Sequence, residues 1–577
     1  MPDPGDDKTL YVGRINLYKE VVNSSYTSVT KTNLSNVYNQ GSAGYGTLHP
    51  DQHTGCWISG TGSSAQFLVG NDGGVYLGDG TVGGFTQLNN TINSTQWYAG
   101  QLGANFANAS TQLLFAGAQD NGSASWDSSQ SSLTWQARST GGDGFFAAFD
   151  PIAGTLNSGN WFTEYVNGGL SRSTAGATGT FSSKSWGSGD SKAWSTPFML
   201  DTFSCKDTSC PNFFIASQYF YASVNAGGTI TKTKNTDLAT NGGSSTGSII
   251  TFDIGRSDPK AAVTGSDQGA VWWSPNVLTG TNCTQAQANT ANFSCSVNTS
   301  ATWTNLTQSN AVLPKRAILG VAFDPTTTNR IYAAVGGFDQ NTPSTPGHVF
   351  VCVNNGGTWT WTNKTGNLPN VPAESIVINP NNPAQAFVGT DFGFYYTDNI
   401  NAQPPVWYLY DYGLPTTIIE HLTVDRGPSN DPYHSTTLAA FTYGRGTYAI
   451  RLPATGGFLP YPVTTTMTAK KNGSAVDITY PLTCTNVQNN VYWGTIGNYS
   501  AVTGGRCQVG NSGAASGVAI PDNSWFVITG ASDGTSSPSI VASFGKDSSG
   551  YERNFTGWEN VTGCAAYSQQ DTQTQCQ

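Results

Sequence analysis

One short phrase recurs about nine times along this chain, and that recurrence restricts the fold more than any other feature. It reads most plainly in the run starting at Glu374, ESIVINPNNPAQAFVGTDFGFYYTDN. An apolar strand (375–378) is followed by an Asn-Pro turn, a second strand (384–389), an Asp-Phe-Gly turn and a third strand (394–397). The segment VWYLYDYGLP then supplies a fourth. The same strand-turn-strand core returns at 9–20, 66–80, 112–126, 160–173, 212–224, 261–273, 330–337 (with HVFVCV after an insertion), 385–398 and 438–452. Units spaced roughly 45–70 residues apart suit four-stranded propeller blades. β-Helix coils are much shorter, and sandwiches need about 100 residues each. The expectation is an all-β, multi-bladed β-propeller of about nine four-stranded units, alone or within a tandem or ten-bladed array.

The ends of the array differ from its middle. The last unit has an inner strand (418–424), a second and a third, and then stops before an outer one. The first has a second strand, a third and an outer segment (29–34) but no inner strand, and Asp3-Pro4 reads like the turn at Asp150-Pro151 or Asp324-Pro325. Blades upstream of Met1 are therefore expected. Near 453–461 the repeat gives way to Pro-Thr-rich sequence with its own alternating strands, VDITYPL, NVYWGTI, SWFVITGAS and SIVASFGKDSSG. The expected division is a propeller over 1–455, its first blade incomplete, and a small β-sandwich over 456–577.

Composition removes several other classes. Only 10% of residues are charged, against about 25% in an average soluble protein. The 68 Gly, with abundant Ser, Thr and Asn, are poor helix formers and suit turns. A helical bundle is excluded on that ground, and 16 Trp, 25 Tyr and 27 Phe supply too much apolar surface for a disordered chain. With 25 Lys and Arg and a net charge of −10, duplex nucleic acid is not an expected partner. No apolar run is long enough for a membrane span.

The ten cysteines include four close couples, Cys205/Cys210, Cys283/Cys295, Cys484/Cys507 and Cys564/Cys576, with Cys56 and Cys352 left over. No C-x-x-C spacing suggests zinc or redox chemistry, and an even count fits disulfides in an oxidising, extracellular or cell-surface location. The spacing leaves the pairing open. Fifteen N-x-S/T sequons, among them Asn23, Asn33, Asn121, Asn282, Asn363 and Asn560, permit glycosylation. About a dozen would arise by chance in so Asn-, Ser- and Thr-rich a chain, so they do not argue for it.

The words HPDQH (49–53), NDGGVY (71–76), QDNGS (119–123), GGDGF (141–145), NGGLSRS (167–173), NLPNVP (367–372), VGTDFG (388–393) and FTYGRGTY (441–448) resemble the Asp-box (BNR) propeller superfamily. That superfamily includes sortilin-type, xyloglucanase-type and sialidase-type propellers, and the likeness is greatest to bacterial secreted sortilin-like proteins. It covers nearly all of residues 8–452. The tail, with VYWGTIGNYS, GGRC and SFGKDSSGYERN, resembles the fibronectin-III-like modules appended to such proteins. The Asp box itself is eroded: VNNGGTWTW (353–361) lacks its Ser and Asp.

Few residues stand out as chemistry. On an extended segment His49, Asp51 and His53 share one side and could converge on a cation such as calcium, with a further ligand from another blade. The preferred reading is that they fix strand ends by hydrogen bonds. Asp72, Asp120, Asp267 and Asp391 sit in turns between second and third strands, and Asp143 precedes an inner strand. Such acids could bind sugar hydroxyls or supply an acid/base pair, but repetition at one blade position favours turn chemistry. Glu164, in a second strand where other units are apolar, is the unusual acid, read as facing solvent. Trp97, Trp126 and Trp272 are candidate sugar platforms. Arg172, Arg316 and Arg445 share no motif context, so the arginine cluster expected of a sialidase is missing. No P-loop, H-E-x-x-H or G-x-S-x-G motif is present.

The function expected is a secreted, non-catalytic propeller for extracellular binding or assembly, including self-association into a filament or surface layer. No resident cofactor is expected. A glycoside hydrolase of xyloglucanase or sialidase type and a sortilin-like peptide receptor are the alternatives, so the expected ligand is an extracellular carbohydrate or protein.

Overall fold

The computed structural model describes residues 1–38, 48–129, 134–138, 142–206, 208–241, 246–280, 283, 294–410, 414–429, 431–452, 467–480, 488–531, 539–542, 544, 555–562, 564 and 567–571. Each of the nine recurring phrases forms an antiparallel pair of strands, from Asp6–Gly13 with Leu17–Val22 to Thr437–Thr442 with Thr447–Arg451. The chain is a β-propeller. The eroded Asp box still makes a hairpin, with Gly356 and Gly357 both at positive φ as a two-residue turn of this type requires.

Ring closure divides the nine units unequally. Seven, numbered here as blades 1–7, have inner strands Trp97–Leu102, Ala147–Phe149, Phe198–Leu200, Ile249–Ile254, Ile318–Asp324, Ala373–Ile378 and Ile419–Val424. A separate apolar core lies between each neighbouring pair, for example Phe115, Phe149 and Trp161 between blades 1 and 2. Other such cores hold Phe162, Phe198 and Phe213 between blades 2 and 3, and Phe387, Phe394 and Leu438 between blades 6 and 7. The seventh core closes the ring, with Ala439 and Phe441 of blade 7 packed on Trp97, Leu102 and Ala116 of blade 1. A bridge from Gln96 to Tyr443 and a bond from Phe106 N–H to Asp425 Oδ2 (2.8 Å) fasten the same seam. Blades 1–6 are four-stranded, and blade 7 has three strands among the described residues.

The first two units stand outside this ring. Their four-stranded sheets, Pro2–Asp3 to Val29–Asn33 and Gln52–Ser59 to Phe85–Gln87, share a core of Tyr11, Leu17, Phe67, Val69 and Tyr76. The strand expected to be missing from the first unit is present as the two residues Pro2–Asp3. The pair of sheets meets the ring through His49 Nε2 on the Asp120 carbonyl (2.9 Å) and Asn121 Nδ2 on the Asp72 carbonyl (3.0 Å), and Asn93, in the connection leading into blade 1, donates through Nδ2 to the Arg445 carbonyl (3.0 Å).

Beyond the ring, the tail has a three-stranded and a five-stranded sheet around Ile478, Val491, Val518 and Ile528. The stretch where the repeat was expected to end, 453–461, lies outside the described residues. Among the described residues there are three disulfides, Cys205–Cys210, Cys283–Cys295 and Cys507–Cys564. The last corrects the close couples: Cys507 and Cys564 meet across a separation of 57 residues because both pack into the tail core with Tyr492 and Tyr567, whatever their spacing. Cys484 and Cys576 lie outside the described residues. Cys56 is exposed and Cys352 buried, both as free thiols. Among the described residues no helix is long and apolar enough to cross a membrane.

Candidate functional site at the channel mouth

The seven inner strands enclose a central lumen of about 520 Å³. Its mouth is shaped by a fault repeated in the pairing. In five blades the inner strand slips register against the second strand and leaves one residue with no partner opposite: Tyr98, Ile250, Leu319, Glu374 and Glu420. A β-bulge of this kind kinks the strand and re-aims the extra side chain, and all five residues line the lumen. They form a collar of two characters. Blades 6, 7 and 1 contribute Glu374, Glu420 and Tyr98, and blades 4 and 5 contribute Ile250 and Leu319.

Blades 2 and 3 complete the apolar arc. The ring of Phe145 lies 4.8 Å from Tyr98 and 5.2 Å, edge-on, from Trp194. Trp194 lines the lumen and is 52% exposed, an unusual state for a side chain that loses so much by contact with water. Phe146 packs beside Phe198 and edge-on to His421 at 6.1 Å. Phe392, next to Asp391, is also largely exposed.

The polar arc is a set of carboxyls with no cation among them; Arg256 is the one Lys or Arg among the described lumen residues and lies at the far end. Burial, a hydrogen bond with Asp391 and the nearby charge of Glu420 push the Glu374 carboxyl far above the usual range. Burial first, and Asp391 second, push Glu420 up to about 7. Tyr98 is also pushed up, by burial and then by Glu420, Asp143 and Asp120. Its hydroxyl donates to Gln119 Oε1 (3.0 Å). His421, enclosed by Phe146 and Phe441, is drawn down to about 4 by burial and stays neutral, with Nδ1 unpartnered. At neutral pH Glu374 therefore keeps its proton and Glu420 stands near its midpoint, so the mouth offers a carboxyl O–H donor and carboxyl oxygen acceptors beside flat apolar surface.

The candidates read from sequence fall into separate places. Asp120 and Asp143 lie beside the collar, with Asp120 N–H donating to Asp143 Oδ1 (3.2 Å). Burial, Asp143 and Asp72 raise the Asp120 carboxyl. Asp72 sits further out, where the two outer sheets meet the ring, and accepts from His53 Nε2 (2.5 Å). His49, Asp51 and His53 do not converge: His49 turns to Asp120, His53 to Asp72, and Asp51 has φ of 61°, which breaks the extended run that would align them. Among the described residues no group of His, Cys, Asp and Glu is arranged to hold a metal. Asp267 caps the start of an inner strand by accepting from Ser248 N–H (3.0 Å).

Glu164 corrects the solvent-facing reading. It is 3% exposed, and Oε1 accepts from Thr196 N–H (2.7 Å) and Gly168 N–H (3.3 Å), so it fastens blade 2 to the start of the blade 3 inner strand. Burial pushes its carboxyl well up. Trp97, Trp126 and Trp272 are blade packing rather than platforms: Trp97 packs at a tilt against Trp135 (4.3 Å), Trp126 joins the same core, and Trp272 Nε1 donates to the Thr240 carbonyl. Of the sequon asparagines, Asn121, Asn363 and Asn560 are exposed and Asn23 and Asn33 are half-buried; Asn282 lies outside the described residues. Glu374 and Glu420 carry no motif. The signal that could have found them is positional, since each is the second residue of an inner strand where other blades place Tyr98, Ile250 or Leu319.

No family model and no curated protein matches the chain. Among solved structures it is similar to YCF48 from Cyanidioschyzon merolae (10% identity, 63% of this chain and 98% of that one, TM-score 0.41). It is similar also to the GH74 xyloglucanase from Xanthomonas campestris (12% identity, 68% and 58%, TM-score 0.40). A third is the GH74 enzyme from Niastella koreensis (19% identity, 72% and 62%, TM-score 0.38). The chain thus spans less than two thirds of either GH74 chain.

Proposed function

We propose that this is an extracellular propeller that binds a neutral glycan at the mouth of its seven-bladed ring. The observation that carries the reading is the bulged collar, which sets Glu374, Glu420 and Tyr98 against an apolar arc ending in the exposed Trp194. A sugar ring has one face of C–H groups and a rim of hydroxyls, and this pairing of flat aromatic with convergent polar groups suits both. With no cation among the described residues of the mouth to pair with a carboxylate, uronates and sialosides are disfavoured, because their charge would be desolvated in the site without a partner. Three disulfides support an oxidising location. Asp-box ancestry for the ring, a fibronectin-III-like identity for the tail and self-association through the outer sheets belong to the same proposal.

A panel of neutral and acidic oligosaccharides titrated by calorimetry tests it. Binding should be confined to neutral members and weakened by Trp194→Ala; acidic sugars binding as well as neutral ones would overturn it. A second reading, glycoside hydrolysis, is favoured by one feature: a carboxyl near pH 7, Glu420, is suited to protonate a leaving oxygen. Release of reducing ends from a neutral glycan, abolished in Glu420→Gln, would establish it.

A further inference from the structure

The end of the lumen opposite the collar is crossed by side chains from blades that face each other. Arg426, just after the blade 7 inner strand, donates through Nη1 to the carbonyls of Thr202 (2.6 Å) and Phe203 (3.0 Å), which follow the blade 3 inner strand. Arg256, after the blade 4 inner strand, donates through Nη1 to the Tyr433 carbonyl (3.1 Å) and through Nη2 to Ser435 Oγ (3.3 Å), both on the blade 7 connection. Its guanidinium also stands 3.5 Å from the centre of the Phe203 ring. In a closed ring of seven, blades 3 and 4 lie across the axis from blade 7, so bonds joining them must cross the lumen.

The crossing is braced on every side. Asp425 accepts from the N–H groups of Phe106, Thr436 and Thr437. Asp201 holds the turn at Phe203 and Ser204, and Asp253 Oδ2 accepts from Phe323 N–H (2.7 Å). The Cys205–Cys210 disulfide is tied back by Cys210 N–H to Asp150 Oδ2 (2.8 Å). A second cavity of about 280 Å³, lined by Tyr433 and His434, shares Arg256, Pro325 and Pro380 with the lumen. Arg256 thus stands as part of the wall between the two spaces.

We infer that the lumen is a one-ended pocket that receives the free terminus of a neutral glycan chain rather than an internal segment. This rests on the glycan-binding reading above. A polymer lying across the mouth would reach the collar but leave the lumen empty, whereas a terminus can pass Trp194 and fill a space that lies within the ordinary range for ligand pockets.

The test uses the full chain and three neutral polymers, xylan, mannan and mixed-linkage β-glucan, each cut to graded lengths and compared at equal mass by depletion. Binding sites per unit mass should rise with the number of chain ends, about tenfold for a tenfold cut in mean length, with the affinity per site unchanged. Capacity that stays constant while binding persists would overturn the inference and leave glycan binding standing. Absence of binding to all three polymers and to their oligosaccharides would overturn the glycan reading and this inference with it.

Discussion

Glu420 and His421 are consecutive in the chain, both are shifted by burial in the lumen wall, and their effects on stability oppose each other in the same pH window. Glu420 is raised from 4.5 to about 7. Between those values the folded state holds a proton that the unfolded chain has released, so this residue makes stability fall as pH rises. His421 is lowered from 6.5 to about 4. There the unfolded chain carries the proton and the folded state does not, so this residue makes stability rise with pH. At about 1.4 kcal/mol for each tenfold change in proton affinity, each residue contributes about 3 kcal/mol over its range. From pH 4.5 to 6.5 the two slopes nearly cancel.

Single substitutions should therefore unmask a dependence that the wild type hides. Relative to wild type, Glu420→Gln should gain about 3 kcal/mol between pH 4.5 and pH 7 and stay level on either side. His421→Phe enters a site already walled by Phe146 and Phe441, and Nδ1 has no partner to lose. It should gain a similar amount as pH falls from 6.5 to 4 and be level above that. The double variant should regain the flat profile. Urea unfolding followed by tryptophan fluorescence, in half-unit steps from about pH 4 to about pH 8, measures all four proteins. Taking differences between variants removes the contribution of Asp253, which burial also raises, to about 6. A difference between Glu420→Gln and wild type that does not change with pH would refute the buried-carboxyl reading of the collar.

Three other outcomes are expected. Trp161→Ala should cost about 3–5 kcal/mol in urea unfolding, because the indole is wholly buried between Phe115 (4.7 Å) and Phe149 (4.6 Å). Trp194→Ala should leave the unfolding midpoint nearly unchanged and weaken binding of the neutral oligosaccharides of the panel about tenfold or more, as for an aromatic anchor; equal affinity would remove Trp194 from the site. Replacing Cys507 and Cys564 by Ser frees a 57-residue loop, worth about 4 kcal/mol by chain entropy. Calorimetry should show the tail melting earlier and the ring unmoved, since the tail cores around Tyr492 and Ile478 contain no ring residue.

The repeat was legible because blade strands must alternate and their turns need Gly, Asn and Asp, so the same chemistry is written nine times. Closure was not, because it depends on which faces pack. Nothing in the phrases at 66–80 and 112–126 says that the second belongs to the ring and the first does not; Phe441 against Trp97 decides it, more than 300 residues apart in the chain. The acids show the same limit. Asp267 and Asp391 occupy one turn position, yet the first caps a backbone N–H while the second meets the Glu374 carboxyl. What differs is the residue across from them on the bulge.

That bulge carries the larger argument. Pairing fixes most positions of an inner strand, since each side chain must fit the core between two blades. The residue left unpaired is released from that demand and points where no core exists. Ile250 and Leu319, Glu374 and Glu420, and Tyr98 fill this one slot with three chemistries, while the pairs beside them hold small or apolar residues such as Ala373 with Thr390 and Ile419 with Thr442. Variation is tolerated there because it costs the fold little, and it lines the lumen. Exchanging slots tests this directly: Leu319→Glu should leave the ring folded, with a fifth-blade carboxyl that narrows the apolar arc and weakens neutral-glycan binding. If Leu319→Glu instead unfolds the protein as severely as a core change such as Val321→Glu, the slot is part of the core and the division proposed here fails.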